Sequence, residues 1–424
     1  MRIKVEAKHN AELNISDDDW TFNGSSTREY THVYHDYPAR MIPQIARKLL
    51  HLYGANSRSL FDPYCGTGSS LVEGLIYGLD SIGTDINPLA RLIAKAKTDY
   101  NLNPIKLDEE ISRFRNNIYE TRGGIEIPYV RNIDYWFKPS IIPKLGKIRY
   151  YLDNIEDEGT KRFFQVAFSE TVRESSNTRK GEFKLFRYSE EQLSKINPDP
   201  YALMISKLER NRAGLIQLRS IMAHFSRGPT ARILSLNSVN QIPSKEIPEN
   251  SVDIVITSPP YGDSHTTVAY GQYSRLSSEW LSLISNENID KISMGGSLLK
   301  EIPDFPSDSL NLAIRAISEI NYKRALEVSS FYNDLLLSIH NVSKVMSSNG
   351  YVCYVVGNRT VSSVILPTSD AIRDFFSFYG LEYVTTHLRS IPNKRMPAKN
   401  SPSNISGQTS NTILNEHIVV MKKT

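Results

Sequence analysis

The chain has 424 residues, 40% of them hydrophobic and 23% charged, with a net charge of +4 and two cysteines. This is an ordinary globular balance. It excludes a disulfide framework and a cysteine-rich zinc site, and no apolar run approaches the ~18 residues of a membrane span. The N-terminus also lacks the apolar core of a signal peptide, which points to the cytoplasm.

Residues 1–31 are polar and acidic and read as an irregular arm. From Tyr37 the spacing predicts a helix with Pro38 in its first turn: Ile42, Ile45, Ala46, Leu49, Leu50 and Tyr53 recur at three- and four-residue intervals up to Gly54. Ser59–Asp62 reads as a strand. Asp62-Pro63-Tyr64-Cys65-Gly66-Thr67-Gly68 follows as a tight loop opening a helix over Ser69–Tyr77. Glycines at 66 and 68 let the backbone approach a ligand, and the helix N-terminus behind them offers unpaired amides. The third glycine of a dinucleotide loop is replaced by Leu71, and no Gly-Lys-Ser/Thr of a P-loop is present. A strand at 81–84 then ends at Asp85-Ile86, and a helix over 89–97 follows Asn87-Pro88. An acid at the tip of a second strand, about 20 residues beyond the first glycines, accepts hydrogen bonds from ribose hydroxyls. Helix capping is its plainer role, and the two are compatible.

The alternation breaks from 100 to 230, which is mostly helix-like and polar with aromatic clusters. A basic run there (Lys207, Arg210, Arg212, Arg219, Arg227, Arg232) suits a phosphate backbone or a solvated helix face. Strands return at 231–236 and Val252–Thr257. The latter is an apolar, β-branched run of the kind buried on both faces of a parallel sheet, and it stops at Ser258-Pro259-Pro260-Tyr261. Two prolines cannot donate to a ladder, so the chain turns at the carboxyl edge, where open α/β sheets bind ligands. Proline carbonyls without neighbouring donors leave acceptors for an exocyclic amine, and Tyr261 offers a ring to a planar base. Beyond a second irregular stretch the pattern predicts helices at 310–326, 331–346 and 369–379. It predicts strands at 351–357, 381–391 and 412–421, with a basic loop at 392–397.

In this order the motifs resemble the amino-directed DNA methyltransferases, in the Ser-Pro-Pro-Tyr form associated mainly with N4-cytosine enzymes. The likeness covers 37–97, 231–261 and 331–422. It implies an α/β fold: a Rossmann-like, S-adenosylmethionine-dependent, mixed seven-stranded sheet with an antiparallel last strand and a large, mainly helical insertion. The catalytic part would comprise 1–99, 231–261 and 331–424. Residues 100–230 would recognise the target, and 262–330 would form a second DNA-contacting insertion. The resemblance places Tyr37 and Pro38 over the methionine end of S-adenosylmethionine and Asp62, Pro63, Tyr64, Gly66 and Gly68 around it, with the Asp62 carboxylate facing the ammonium group. Asp85 and Ile86 fall at the ribose. Where an acid often meets the adenine amine the chain has Asn237, a departure that leaves this contact open. Ser258, Pro259, Pro260 and Tyr261 would hold a base swung out of double-stranded DNA, and Lys394 and Arg395 would touch DNA. No metal is implied. A C5-cytosine enzyme needs a nucleophile in a Pro-Cys setting, which neither Cys65 nor Cys353 has. A place in a restriction–modification system is also implied, but whether a separate endonuclease accompanies the chain is not legible in its residues. Adenine-N6 methylation shares the geometry and stays open. So does guanine-N2 methylation of RNA, although the stretch before Tyr37 is short for the RNA-binding domain such enzymes carry.

Overall fold

The computed structural model describes residues 19–38, 40–120, 124–182, 184–262, 270–283, 289–391, 399–400, 410–411 and 415–424. Seven strands form one sheet: β1 Ser59–Asp62, β2 Asp80–Thr84, β3 Ala231–Leu234, β4 Val252–Thr257, β5 Met346–Val356, β6 Leu381–Ser390 and β7 Asn415–Lys423. Their order is β3-β2-β1-β4-β5-β7-β6. The first five run parallel. β7 inserts antiparallel between β5 and β6, pairing Val420 with Cys353 and Glu416 with Arg389. This is the mixed, Rossmann-like sheet the motifs imply, with its antiparallel last strand.

Period-two alternation fixes the two faces. On one side Leu60, Ile254, Ile256, Val355 and Val420 pack with Ile45, Leu49 and Leu71 from the helices Pro43–Tyr53 and Ser69–Tyr77. On the other, Phe61, Val255, Tyr354 and Val419 pack with Leu310, Phe331 and Phe375 from Asp308–Ile320, Tyr322–Val345 and Thr368–Phe378. Chain order reverses between β1 and β4, which lie side by side with Phe61 opposite Val255. At such a switch point the connections leave in opposite directions and open a crevice at the carboxyl ends of the strands.

Residues 100–230 are helical, as expected, and built mainly from Pro104–Asn117, Ile142–Asp153, Glu158–Ser175 and Pro200–Met222. Their apolar faces do not close on themselves. Phe163, Phe164, Phe168 and Leu208 share one core with Tyr34, with Leu89 and Ile93 of the helix Pro88–Thr98, and with Trp280.

Several expectations need correction. The first long helix begins at Pro43, not Tyr37. Ile42 is its extended N-cap and Pro43 holds the first-turn position that Pro38 was expected to hold. The expected helix 310–326 is two helices, broken at Asn321. That residue is extended at φ −156° and its side chain accepts from the Arg324 amide, starting the second helix afresh. The expected boundary at 330/331 therefore falls inside a continuous helix. β3 ends at Leu234, and the last strand is described over Asn415–Lys423, with 412–414 outside the described residues. Five residues of the basic run find acceptors within the chain itself. Lys207 and Arg210 pair with Glu170, Arg212 with Asp108 and Arg232 with Glu246, while Arg219 donates to the carbonyls of Tyr100 and Leu102. Lys394 and Arg395 lie outside the described residues. Among the described residues no helix is long and apolar enough to cross a membrane, and no group of His, Cys, Asp and Glu side chains is arranged to hold a metal.

Candidate active site

One cavity opens at the switch point, and both sequence motifs line it. Tyr37, Pro38, Asp62, Pro63, Tyr64 and Gly66 form one side, continuing through Asp85, Ile86 and Asn237, with Ser258 and Pro260 across from them. Of the residues singled out in sequence, Gly68, Pro259 and Tyr261 are not in the lining.

Asp62 ties the two motifs together. It is 3% exposed at the end of β1. Its Oδ1 accepts from the Tyr64 amide at 3.0 Å and from Thr257 Oγ1 of β4 at 2.5 Å, and its Oδ2 accepts from Ser70. Burial outweighs these donors and raises its pKa to about 6. The loop beyond it turns through two left-handed glycines, Gly66 at φ +50° and Gly68 at φ +76°. A Cβ on Gly68 would also stand 3.1 Å from that of Ala94, so this glycine sets how closely the loop packs on the following helix.

Asp85 supports the same loop. Its Oδ2 accepts from the Gly66 amide at 3.0 Å and its Oδ1 from the Asn87 amide at 2.7 Å. Each oxygen retains a second lone pair, enough for a pair of vicinal hydroxyls. Capping of the next helix belongs to Asn87, whose Oδ1 accepts from the Leu89 amide. The Asn87 amide group also reaches Tyr37 OH at 3.0 Å and Ser274 Oγ at 3.1 Å. Tyr37 lies in a segment without regular secondary structure, with its ring nearly parallel to that of Tyr270 at 6.1 Å. Tyr270, Arg40 and Met294 line the cavity as well. Tyr270 carries no local mark, because the helix Tyr270–Trp280 reaches the site only through tertiary packing. Asn237 donates to the Ile292 carbonyl and accepts from the Val239 amide, so its side chain holds a turn and the second insertion together.

A cofactor with an amino-acid end fits this donor set. The Thr67 hydroxyl is 3% exposed, lines the cavity and has no partner among the described residues. It stands at the entrance to the helix Ser69–Tyr77, where backbone amides favour an anion.

At the other wall, Ser258 Oγ donates to the Val355 carbonyl at 3.0 Å. Tyr261 OH is 3.4 Å away, but the serine has one hydrogen and the nearer carbonyl takes it. Tyr261 in turn donates to Glu416 Oε1 at 2.9 Å. Gly262 follows at φ +150°, a backbone conformation that any residue with a Cβ would hold only under strain.

No protein-family model matches the chain. It is 39% identical over 423 residues to the type II methyltransferase M.MvaI of Kocuria varians, covering 95% of this chain and 93% of that protein. Over 167 residues it is 29% identical to the type II methyltransferase M.MjaII of Methanocaldococcus jannaschii, covering 37% of this chain and 29% of that protein. To M.BsoBI of Geobacillus stearothermophilus, also a type II methyltransferase, it is 22% identical over 293 residues, 61% of this chain and 55% of the relative. With the first likeness running nearly end to end, the chain belongs to the type II DNA methyltransferases, and S-adenosylmethionine is its methyl donor.

Proposed function

We propose that the protein methylates the exocyclic N4 amine of a cytosine swung out of double-stranded DNA, as the modifying half of a restriction–modification system. The observation that carries this reading is that Ser258 and Pro260 line the same cavity as Asp62 and Asp85. When bound, S-adenosylmethionine supplies an electrophilic methyl group on a sulfonium. The chain's own part is to bind and align. Asp85 and Ile86 take the ribose, Asn237 flanks the adenine, and Asp62 meets the ammonium group beneath Tyr37 and Pro38. Pro63, Tyr64, Gly66 and Gly68 shape the loop between them.

With its proton engaged by Val355, Ser258 Oγ keeps two lone pairs and acts as an acceptor. It and the Pro259 carbonyl would accept the two amine hydrogens, while Pro260 holds the turn and Tyr261 stacks on the ring. That pairing draws the nitrogen lone pair out of conjugation and fixes its line of approach, so positioning supplies much of the rate. No covalent enzyme intermediate is needed. Cys65 is buried within the cofactor loop with its thiol pushed well above the usual range, and Cys353 is fully buried within β5. The insertions 100–230 and 262–330 would read the DNA sequence, helped by Lys394 and Arg395.

The test is incubation with labelled S-adenosylmethionine and unmethylated duplex DNA, followed by nucleoside digestion. N4-methylcytosine is expected. N6-methyladenine as the sole product would overturn the cytosine assignment, and methylated RNA beside untouched DNA would overturn the substrate class.

A further inference from the structure

Tyr261 and Glu416 stand 155 residues apart in sequence, yet the tyrosine hydroxyl donates to Glu416 Oε1 at 2.9 Å. The other carboxylate oxygen accepts from Arg389, the cross-strand partner of Glu416 in the β6–β7 ladder. Arg389 is 8% exposed and is itself held by the Trp20 carbonyl, to which its Nε donates at 3.1 Å. A cross-strand ion pair alone would account for Arg389. It does not account for the second oxygen, which is turned to the tyrosine of the catalytic turn. Burial, then the facing carboxylate, hold the Tyr261 phenol well above its ordinary pKa, so it remains a proton donor to Glu416. The neighbouring Ser258 hydroxyl is engaged by Val355 and does not compete.

We propose that Glu416, backed by Arg389, is the positioning residue that fixes the Tyr261 ring for stacking on the flipped base. The inference rests on the reading of Tyr261 as that stacking residue. A tyrosine ring with a free hydroxyl turns about its side-chain bonds and must be ordered each time a base enters. Anchored at its far end, the ring is ordered beforehand, and the alignment of the amine draws on that order. The anchor also gives a reason for tyrosine over phenylalanine at 261, since a phenyl ring would leave a part-buried carboxylate oxygen without its donor.

A mutant cycle on the full-length protein tests this, with turnover on duplex DNA and S-adenosylmethionine affinity as separate readouts. Glu416→Ala and Tyr261→Phe should each lower kcat about tenfold, the size of one bond to a charged group, with cofactor Kd within about twofold of wild type. Glu416→Gln, whose amide oxygen still accepts a neutral bond, should fall between. In the Tyr261→Phe background neither Glu416 variant should slow turnover further, because the hydroxyl through which they act is gone. Additive losses in that background would overturn the proposal, as would wild-type turnover in folded Glu416→Ala. Should Glu416→Ala fail to fold, Glu416→Gln completes the cycle. Tyr261→Ala separates the two levels. Wild-type turnover there would overturn the stacking reading and the anchor with it, whereas a slow Tyr261→Ala beside a fast Glu416→Ala overturns the anchor alone.

Discussion

Replacing Asp85 by alanine should do two things that one assay would confuse. In the free protein the carboxylate accepts from the Gly66 and Asn87 amides at 3.0 and 2.7 Å. Each bond to a charged acceptor contributes about 1.5–3 kcal/mol, so losing both costs about 3 kcal/mol at the low end. Unfolding entropy at about 2.1 cal/mol/K per residue gives about 0.9 kcal/mol/K for this chain, so the melting midpoint should fall by about 3 °C. The ribose would take the two remaining acceptor positions. Their loss should weaken S-adenosylmethionine binding at least tenfold. Melting without cofactor reports the first effect and titration calorimetry the second. A folded Asp85→Ala protein with a lowered midpoint but unchanged affinity would refute the ribose assignment and leave Asp85 as a loop support only.

Three further outcomes follow from the site. Asp62 has its pKa raised from 3.8 to about 6 by burial, so between those values the folded free protein holds the proton more tightly than the unfolded chain does. Stability should therefore fall as pH rises through that window. An ammonium group beside Asp62 favours the carboxylate, so S-adenosylmethionine affinity should rise from pH 5 to 7, and binding near pH 6 should release a proton; a flat affinity profile would remove Asp62 from the contact. Ser258→Ala should lower kcat about tenfold while DNA Kd stays within about twofold, because the lost acceptor matters when the amine is aligned; equal loss in both would make it a ground-state contact. Exchanging all of 100–230 for a relative's should yield unstable protein, since its aromatic core is shared with Leu89 and Ile93. Exchanging only its exposed segments should change the site methylated, as read by sequencing, and an unchanged site would move recognition to 262–330.

What was legible in the sequence was local. The strand, glycine loop, helix, strand and acid of 59–85 follow one another, and each piece carries its own signal in residue type and spacing. The same holds for β4, whose apolar run and double proline mark both the strand and its end. The break at Asn321 was hidden because apolar positions continue at helical spacing across it, from Ile317 to Ala325. The start at Pro43 competed with Pro38, which satisfies the same first-turn preference. The basic run stayed open between two readings because charge in sequence does not show whether partners such as Glu170 and Asp108 return from elsewhere in the chain. Glu416 had no local mark at all, being a polar residue in a strand whose partner lies on the far side of the sequence.

The cavity wall at Tyr37 is supported from both 100–230 and 262–330. The segment around Tyr37 has no regular secondary structure, and an unsupported extended stretch would lose order at about 1–2 kcal/mol per residue. The Asp36 backbone is held on both sides. The amide donates to Glu170 at 3.1 Å, and Tyr273 donates to the carbonyl. Glu170 belongs to the first insertion, and against burial its pKa is held at about 2 by His35 of the N-terminal segment together with Lys207 and Arg210. Tyr273 belongs to the second, under the Arg173 guanidinium at 4.0 Å. The next residue, Tyr37, stacks on Tyr270 and is tied through Asn87 to Ser274. A shift of either segment on the sheet therefore reaches the cavity through the Asp36 backbone and the Tyr37 ring: removing 262–330 would take Tyr270 and Met294 from the wall itself, and removing 100–230 would take away the Glu170 support behind it.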